Sequence, residues 1–536
     1  MPPTLRRLLP ILVYGAIAVA LTWPVVLSPG QLIPGAERSD AWNSIWSLWF
    51  VHDAVMDGRL PLFTDLLQHP VGGRLVVADP LNALLGLPLV QLFGPVAAYS
   101  LLCLGHSTAS GLAAHALGRR LGGVGWLAGV AYQLAPVVVS HLHNGSSEAV
   151  SAGWLALAAW ALVGVVQKPS WWRALGAGAL LALTAISGWY AGIGAWCVLV
   201  ALLLVHRSRH LLLAAAMGLA LTAPWAHAVR EVARAEDGLV HIKNDQDLAR
   251  LRRTLGPADP RGFVTPGPFR SPDFQNLEGR PGDYVHTTYL GWILIALAAL
   301  ALWRRPREAA PWLLALGAGV VLALGPVLVL DGFPASFRGR AIPLPYMLLE
   351  RLPGFDALSL LYRCSQVASL ALAALAALAL PRREDPGMSL TVALAVAAEF
   401  LAFGPTVGLP HVTSIPDSRA LAELALAPEG AIVNLPVTAS RAYLYEQVVH
   451  GHPLSASLNT GANRGALEVF AAARKLKDGG LSREDVVAVA RRERVRYVVV
   501  HKDLLIAEAF VRSAGMIKQE FELLAEDEAV RIYQLY

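Results

Sequence analysis

The chain has 536 residues, of which 55% are hydrophobic and only 15% charged, whereas soluble proteins average about 25% charged residues. This composition excludes an ordinary water-soluble protein. The net charge is +5, but Arg and Lys stand in short clusters between apolar runs, which is typical of the cytoplasmic loops of membrane proteins and does not indicate a nucleic-acid partner. The three cysteines lie within apolar runs without metal-ligand spacing, so neither a disulfide framework nor a zinc site is predicted.

Apolar runs long enough to cross about 30 Å of hydrocarbon recur along most of the chain. The first follows Arg6 and Arg7 but lacks a clear cleavage site, so we interpret it as a retained helix and not as a signal peptide. With the basic clusters inside, the pattern predicts eleven spans and a cytoplasmic N-terminus. The predicted spans are residues 9–27, 96–116, 123–140, 149–167, 173–187, 190–206, 211–228, 288–303, 309–330, 358–380 and 388–405.

The long polar segments then all fall on the extracytoplasmic side. They are residues 28–80, 229–287, 331–357 and everything after 406, with the turn 141–148 beside them. The stretch 81–93 is predicted to be interfacial or re-entrant, because a span there would place Arg119 and Arg120 outside. Loops that only connect helices are usually short, so long loops on one face predict a shared site there.

The composition changes from about residue 411, where charges are frequent and short β-branched runs alternate with helix-like stretches. The runs are residues 431–437, 495–501 and 530–536, and the helix-like stretches are 465–477 and 482–492. The predicted fold class is an all-α polytopic membrane domain of about 11 transmembrane helices with a C-terminal extracytoplasmic α/β domain. The membrane domain would cover residues 1–408, with outer loops 28–80 and 229–287, and the second domain residues 411–536.

The first outer loop contains an acid directly before an aromatic segment. Asp40 precedes residues 41–50, in which Trp42, Trp46 and Trp49 recur at helical spacing. Such a helix is predicted to lie in the membrane interface, where indole rings are favoured. Asp40 is then either the N-cap of this helix or a functional carboxylate at the membrane surface.

Short motifs occur in a definite order over most of the chain. They are Asp40 with its tryptophan-rich segment, Gln68-His-Pro-Val-Gly-Gly73, Asp79-Pro-Leu-Asn82, Leu87-Pro-Leu89, Ala98-Tyr99, Ser140-His-Leu-His-Asn-Gly145, Tyr289-Leu-Gly-Trp292, Leu324-Gly-Pro326, Leu344-Pro-Tyr346, Arg351-Leu-Pro-Gly-Phe355 and Arg363. In this order and spacing the chain resembles the GT-C glycosyltransferases, in a bacterial, mannosyltransferase-like form.

The resemblance implies an acidic catalytic residue in the first outer loop, a polyprenyl-phosphate-linked sugar as donor, and transfer on the extracytoplasmic face. Asp40 is the matching position. A lipid-linked donor keeps its reacting carbon at the headgroup level, where a carboxylate can accept the proton of an attacking hydroxyl. Glu37 is a second candidate in this loop, with a solvated acid as the alternative.

Two further places could hold the donor. His141 and His143, with Asn144 and Glu148, could bind phosphate or a divalent cation, but their spacing matches no metal motif and a plain polar turn is the alternative. Arg363 lies inside an apolar run, where a charge is costly, and its planar fork suits a phosphate. Snorkelling to the headgroups is the alternative explanation.

The loop 229–287 is rich in Pro and Gly and either covers a bound substrate or simply connects two spans. Its polar candidates are Arg270, Asp273, Arg280, Asp283, Tyr284 and His286. Glu399, near the outer end of the last span, is either structural or functional. No phosphate-cradling glycine loop occurs, so a nucleotide is not predicted.

The leading hypothesis is therefore an inverting transfer of a sugar from a polyprenyl-phosphate donor to an extracytoplasmic glycan, lipid or protein acceptor. Asp40 would act as the base, and Arg363 or the histidine turn would contact the donor phosphate. The alternative is non-catalytic binding or transport of a lipid-linked glycan, although a transporter is expected to show broken helices in matching halves and the sequence shows no such symmetry. The predicted location is the bacterial inner membrane.

Overall fold

The computed structural model describes residues 3–239, 249, 251–254, 256–267, 285–352, 355, 358–380, 386–404, 409–437, 441–456, 464–476, 480–504 and 508–536. The chain forms two compact units, each built from several segments. Unit 1 comprises Met1–Ala41, Ala78–Ala226 and Lys243–Ser414, and unit 2 comprises Trp42–Val77, His227–Ile242 and Ile415–Tyr536. These units group residues by their contacts, so independent domains at 1–408 and 411–536 stay a prediction.

Unit 1 is mainly helical. Its helices are Pro3–Leu21, Pro80–Arg120, Gly125–Gln133, Pro136–His143, Ser147–Val150, Gly153–Gln167, Trp171–Ser187, Trp189–His206, Arg209–Arg234 (which ends in unit 2), Trp292–Arg304, Pro306–Leu324, Tyr346–Leu349, Ser365–Ala379 and Pro386–Phe403. Within the described residues, six helical segments are long and apolar enough to cross a membrane: Pro80–Arg120, Ser147–Gln167, Trp189–His206, Arg209–Arg234, Pro306–Leu324 and Leu361–Ala379. The chain is an integral membrane protein, and the total of eleven spans stays a prediction.

Two predicted segments contain or adjoin a break in a helix. The predicted span 123–140 is broken into Gly125–Gln133 and Pro136–His143, because proline lacks the amide hydrogen needed to continue a helix from the preceding turn. The stretch 81–93 is helical and is separated from residues 96–116 by an interruption at Gly94, where φ is 80°, within Pro80–Arg120. Its interfacial or re-entrant placement stays a prediction.

The helix Ser365–Ala379 lies in the interior of unit 1, and all of its residues are buried. Its many alanines allow neighbouring backbones to approach closely. At Gly123 the approach is so close that a Cβ atom would lie 1.9 Å from the carbonyl oxygen of Ala377. This helix begins two residues after Arg363, so its tight packing also fixes the backbone position of Arg363.

Unit 1 also contains short strand pairs. Strand β1 (Leu32–Pro34) pairs antiparallel with β8 (Val412–Ser414), so that Leu32 lies opposite Ser414. Two hairpins follow the helix Pro306–Leu324: β4 (Val329–Leu330) with β5 (Phe333–Pro334), and β6 (Ser336–Phe337) with β7 (Arg340–Ala341). The β1–β8 pair joins the loop before Asp40 to the chain that follows the last helix of the unit.

Unit 2 is built on a four-stranded sheet in the order β11–β12–β10–β9. The strands β9 (Ala431–Leu435) and β10 (Val495–His501) are parallel, and β12 (Val530–Gln534) is antiparallel to β10 and to β11 (Glu522–Glu526). The three predicted strands are found, whereas β11 was missed because Glu-Leu-Leu-Ala-Glu contains no β-branched residue. The other elements are β2 (Phe63–Thr64), β3 (Gly73–Arg74) and the helices Ala41–Met56, Arg419–Leu424, Ala442–His450, Arg464–Arg474, Arg483–Arg492 and Glu508–Glu520.

The tryptophan helix, Ala41–Met56, is helical as predicted, and two of its three indoles, Trp42 and Trp46, are buried in the protein. Trp46 is completely buried and its Nε1 donates to Oε1 of Gln447 at 2.7 Å. The Trp42 ring lies 5.1 Å from that of Tyr445. Trp42 and Trp46 thus pack against the helix Ala442–His450 within unit 2, and the interfacial position of the tryptophan helix stays a prediction.

Candidate functional site

Asp40 lies in unit 1 where the first outer loop contacts the turn after the helix Pro136–His143. The amide of Ala36 donates to the carbonyl of His143 at 2.8 Å, and the amide of Asp40 donates to the carbonyl of Asn144 at 3.0 Å. The Ser146 hydroxyl donates to Oδ2 of Asp40 at 3.0 Å. The backbone and the carboxylate of Asp40 are thus both held by this turn.

Gly145 makes this close contact sterically feasible. Its φ is +65°, a left-handed conformation that favours glycine. A Cβ atom at this position would lie 2.4 Å from the amide nitrogen of Ala41 and 2.7 Å from Oγ of Ser39. The Asn-Gly pair in the sequence therefore lets the turn lie against the segment from Ser39 to Ala41.

Arg363 points into unit 1 and contacts the same turn. Only 5% of the residue is exposed, one guanidinium nitrogen donates to Oε1 of Glu148 at 2.6 Å, and another donates to Oγ of Ser146 at 3.1 Å. Its Cζ lies 5.7 Å from the centre of the Tyr190 ring. These contacts hold the guanidinium inside the protein, so snorkelling does not describe its position.

Ser146 joins the two charged groups that the sequence singled out separately. Its hydroxyl accepts from Arg363 and donates to Asp40, which gives the series Glu148, Arg363, Ser146 and Asp40. Hydrogen bonds to ionised groups are shorter and stronger than neutral ones. Sequence reasoning missed Ser146, since a serine next to Asn-Gly carries no signal of its own beyond membership of a turn.

His141 lies close to this network and is fully buried. Its ring centre lies 6.4 Å from that of Tyr362, and neither ring nitrogen has a hydrogen-bond partner among the described residues. The same holds for Nε of Arg363 and Oγ1 of Thr288. Buried polar atoms without partners are costly, so these atoms are available to bind a polar ligand.

Asn144 brings a distant segment to the site. Its side chain pairs with the backbone of Val285 in both directions, with Nδ2 donating to the carbonyl at 2.9 Å and Oδ1 accepting from the amide at 2.8 Å. The next residue, His286, stacks on Tyr362 with ring centres 4.2 Å apart. Burial lowers the pKa of His286 to about 3, and the positive charge of Arg363 adds to the effect, so the imidazole is neutral.

The remaining polar candidates of the loop 229–287 lie outside the described residues. They are Arg270, Asp273, Arg280, Asp283 and Tyr284. The alternatives of a cover and a connector for this loop therefore stay open, although His286 itself is one of the site's aromatic neighbours.

The two histidines predicted as a pair are separated. They stand two residues apart on one helix, where each residue turns by about 100°, so their side chains leave on opposite faces. Nδ1 of His143 accepts from the backbone amide of His411 at 3.3 Å, whereas His141 faces Tyr362. Glu37, the second acid of the loop, is exposed.

Two further acids have structural partners. Asp79 caps the helix Pro80–Arg120 through the amide of Asn82, and burial raises the pKa of Asp79 well above its usual value, with the charge of Glu148 acting in the same direction. Glu399 accepts from the hydroxyl of Tyr289 at 2.6 Å and from the amide of Trp292 at 2.6 Å, at the start of a helix. The structural explanation of Glu399 is thereby supported.

No cluster of three or more His, Cys, Asp or Glu residues suited to a metal ion is found in the described parts of the chain. The site as described combines one guanidinium, two carboxylates, a hydroxyl and two buried imidazoles. Such a set can orient a hydroxyl nucleophile, accept its proton and neutralise a leaving anion.

No protein-family model matches the sequence, and no curated protein sequence matches it significantly. Solved structures do match. The arabinofuranosyltransferase AftD from Mycobacteria superposes with a TM-score of 0.52 and 17% identity over 98% of this chain and 41% of its own. The apo oligosaccharyltransferase of Archaeoglobus fulgidus gives 0.51 and 12% over 93% of this chain and 70% of its own.

A second structure of the archaeal enzyme, AglB in complex with an inhibitory peptide and a dolichol-phosphate, gives a TM-score of 0.51 at 12% identity, over 93% of this chain and 69% of its own. This chain spans less than half the length of the AftD chain that it matches. At these identities the likeness concerns the fold, and it agrees with the order of motifs read from the sequence. The chain has the fold of the GT-C membrane glycosyltransferases.

Proposed function

We propose that this protein transfers a sugar from a polyprenyl-phosphate-linked donor to an acceptor on the extracytoplasmic face of the membrane, with Asp40 as the general base. The observation that carries the proposal is the series Glu148, Arg363, Ser146 and Asp40, which sets a carboxylate beside a buried guanidinium. The GT-C fold supports it, because the solved neighbours are named as glycosyl-transferring enzymes.

In the proposed reaction the acceptor hydroxyl attacks the anomeric carbon of the donor sugar and loses its proton to Asp40. The bond between that carbon and the phosphate oxygen breaks, and the polyprenyl phosphate leaves with the bonding electron pair. A single displacement of this kind inverts the configuration at the anomeric carbon. Ser146 would hold the Asp40 carboxylate in one orientation, since its hydroxyl donates to Oδ2.

Arg363 would neutralise the leaving phosphate. Its guanidinium fork matches phosphate oxygens, and His141 offers ring nitrogens that have no partner within the described structure. One guanidinium nitrogen of Arg363 already bonds Oε1 of Glu148 at 2.6 Å. The donor phosphate therefore has to share Arg363 with the Glu148 carboxylate or displace that carboxylate. Glu37 and His143 remain candidate substrate-binding residues.

The test is Asp40→Asn, which keeps the size of the side chain and removes its basicity. Transfer should fall by roughly 10² or more, while expression and melting temperature stay close to those of the wild type. Asp53→Asn is the matched control, because Asp53 stands on the tryptophan helix, is about half exposed and forms a surface ion pair with Arg59. This control should transfer at the wild-type rate.

Wild-type transfer by Asp40→Asn would reject Asp40 as the base. No transfer by the wild-type protein with a broad panel of lipid-linked donors would instead favour the alternative of binding or transport. The supporting result is transfer of the donor sugar to an acceptor hydroxyl by the wild type and by Asp53→Asn, with a large loss in Asp40→Asn.

The proposed orientation places the N-terminus in the cytoplasm of a bacterial cell and residues after about 410 outside. Reporter fusions after residues 120 and 420 should therefore report opposite sides of the inner membrane. If both report the same side, Asp40 and the basic clusters are no longer on opposite faces, and extracytoplasmic transfer has to be abandoned.

A further inference from the structure

A pair of small hairpins stands directly after a helix that is long and apolar enough to cross the membrane. The helix Pro306–Leu324 ends at residue 324, and β4–β5 and β6–β7 fill residues 329–341. The backbone is internally bonded: Ala335 donates to Leu328 at 2.8 Å, and Ile342 donates to Ala335 at 3.0 Å. The hairpins are thus an ordered projection close to the end of an apolar helix.

This projection displays its large apolar side chains instead of burying them. Phe337 is 68% exposed and Phe333 is 59% exposed, and Leu330 is partly exposed beside them. Strands of two residues cannot enclose a core, and hairpins of this size are marginal in water on their own. Several large apolar side chains exposed within thirteen residues favour an interaction site over a purely structural role.

Positive charge accompanies the phenylalanines. Arg338 lies over the Phe337 ring with its Cζ 5.4 Å from the ring centre, and Arg340 follows at the same tip. Both arginines are exposed and make no ion pair with any residue in the described part of the chain. Asp331, the one acid in the sequence of residues 329–341, is bound to Arg261 at 2.6 Å. The tip therefore presents two aromatic rings and two uncompensated cations.

We infer that the segment 329–341, the hairpin tip, is a lipid anchor that inserts Phe333 and Phe337 among the acyl chains and binds anionic phospholipid headgroups through Arg338 and Arg340. Aromatic and basic side chains in combination are characteristic of surfaces that bind a membrane interface. The adjoining helix, long and apolar enough to cross the bilayer, would keep the tip within reach of the bilayer.

The predicted topology adds an argument. It assigns residues 331–357 to the extracytoplasmic side, where basic residues next to spans are ordinarily depleted. Two arginines at such a position call for an anionic ligand close to the bilayer. Each basic residue near an anionic surface strengthens attraction roughly fivefold, so the pair can produce a clear preference for anionic over zwitterionic lipid.

The test uses the full-length protein in nanodiscs with an environment-sensitive fluorophore on Phe337→Cys. The wild-type protein, labelled identically, measures the background from native cysteines, of which Cys103 and Cys364 are buried. Arg464→Cys is the matched control, because the Arg464 side chain is 92% exposed and lies in unit 2. Quenching is measured with nitroxide on phospholipid acyl chains and, separately, with a water-soluble quencher.

The label at position 337 should be quenched by lipid-borne nitroxide and protected from the aqueous quencher, with the reverse at position 464. Nitroxide on phosphatidylglycerol should quench several-fold more than nitroxide on phosphatidylcholine at equal mole fraction. Arg338→Gln with Arg340→Gln should abolish that difference while the label stays inserted.

Access of the aqueous quencher to position 337 would overturn the anchor. Protection from both quenchers would overturn it in favour of a protein or glycan partner. Equal quenching by the two phospholipids would reject the headgroup contact. None of these outcomes depends on glycosyl transfer, so the inference stands or falls separately from the proposed function.

Discussion

The pairing of Arg363 with Glu148 gives a prediction in which stability and ligand binding can be separated. Arg363→Met keeps much of the apolar stem and removes the guanidinium, which leaves the Glu148 carboxylate without its partner at 2.6 Å. The Arg363 side chain is 6% exposed and that of Glu148 is 22% exposed. Breaking a buried ion pair from one side costs about 3–5 kcal/mol, and the partial exposure of Glu148 places the expected loss near the lower end.

The double variant Arg363→Met with Glu148→Gln removes the uncompensated charge. A neutral amide in the same place costs about 1 kcal/mol, so most of the lost stability should return. The measurement is the apparent melting temperature of both variants and the wild type in one detergent, followed by transfer assays on each. If Arg363 holds the donor phosphate, the double variant is stable and still inactive.

Two results would refute this reasoning. A double variant as unstable as Arg363→Met would mean that the isolated Glu148 carboxylate is not the source of the loss. A double variant that transfers sugar at the wild-type rate would remove Arg363 from the donor site. Arg363→Lys is the intermediate case, since it keeps the charge and loses the fork, and it should retain stability better than transfer.

Three further outcomes are expected. Gly145→Ala should lower both the melting temperature and transfer, because its Cβ would clash with the amide of Ala41; unchanged values would show that the turn can move. Trp46→Phe should cost about 1–3 kcal/mol by leaving Oε1 of Gln447 buried without a donor; a silent substitution would contradict this. Burial raises the pKa of Glu446 to about 8, so the folded state keeps a proton that the unfolded state loses above its usual value of 4.5, and stability falls as the pH rises between these values. Glu446→Gln should therefore stabilise unit 2 at pH 8 but not at pH 4, by up to about 4 kcal/mol; a difference that does not change with pH would refute the assignment.

The sequence predicts the membrane helices well where apolarity alone decides. The predicted spans 190–206 and 211–228 coincide closely with Trp189–His206 and Arg209–Arg234. Interruptions within a helix are harder to predict from sequence, because a proline or glycine in an apolar run can either kink the helix or end it. Pro136 and Gly94 stand out in the sequence as helix-breaking residues. Whether the helix continues past each of them depends on the residues that pack around the interruption.

The tryptophan helix shows a different limit. A regular spacing of indoles identifies a helix with an apolar face, but it does not say what covers that face. The composition of such a face is equally compatible with contact to membrane lipid and with packing against a neighbouring helix. Here the partner of Trp46 lies 401 residues away in sequence, at Gln447, and no local pattern could have indicated it.

The candidate site likewise contains residues that the sequence indicates and residues that only the fold reveals. Asp40 and Arg363 stand out because each is a charge at the edge of an apolar region, which is costly and therefore conspicuous. Ser146 and the Asn144 clamp on Val285 are ordinary polar residues whose role arises from contacts across 106 and 141 positions. Sequence reasoning finds charges in unexpected places, whereas the hydrogen-bonded residues that orient them require the fold.

The charge of the site leads to a last prediction. Asp40 and Glu148 are two carboxylates around the single guanidinium of Arg363, and the neutral imidazole of His286 adds no positive charge. The proposed donor brings a phosphate that is itself negative, so binding needs a compensating charge. The described residues offer no preformed cluster for a metal ion, so a divalent cation would be held mainly by the oxygens of the donor phosphate, which Mg²⁺ and Mn²⁺ prefer as ligands, and Asp40 would keep its role as the base. Chelation with EDTA should therefore abolish transfer, and a divalent cation should restore it where a monovalent salt of equal ionic strength does not. Transfer that continues unchanged in EDTA would show that a proton balances the charge instead, and its rate should then fall as the pH rises.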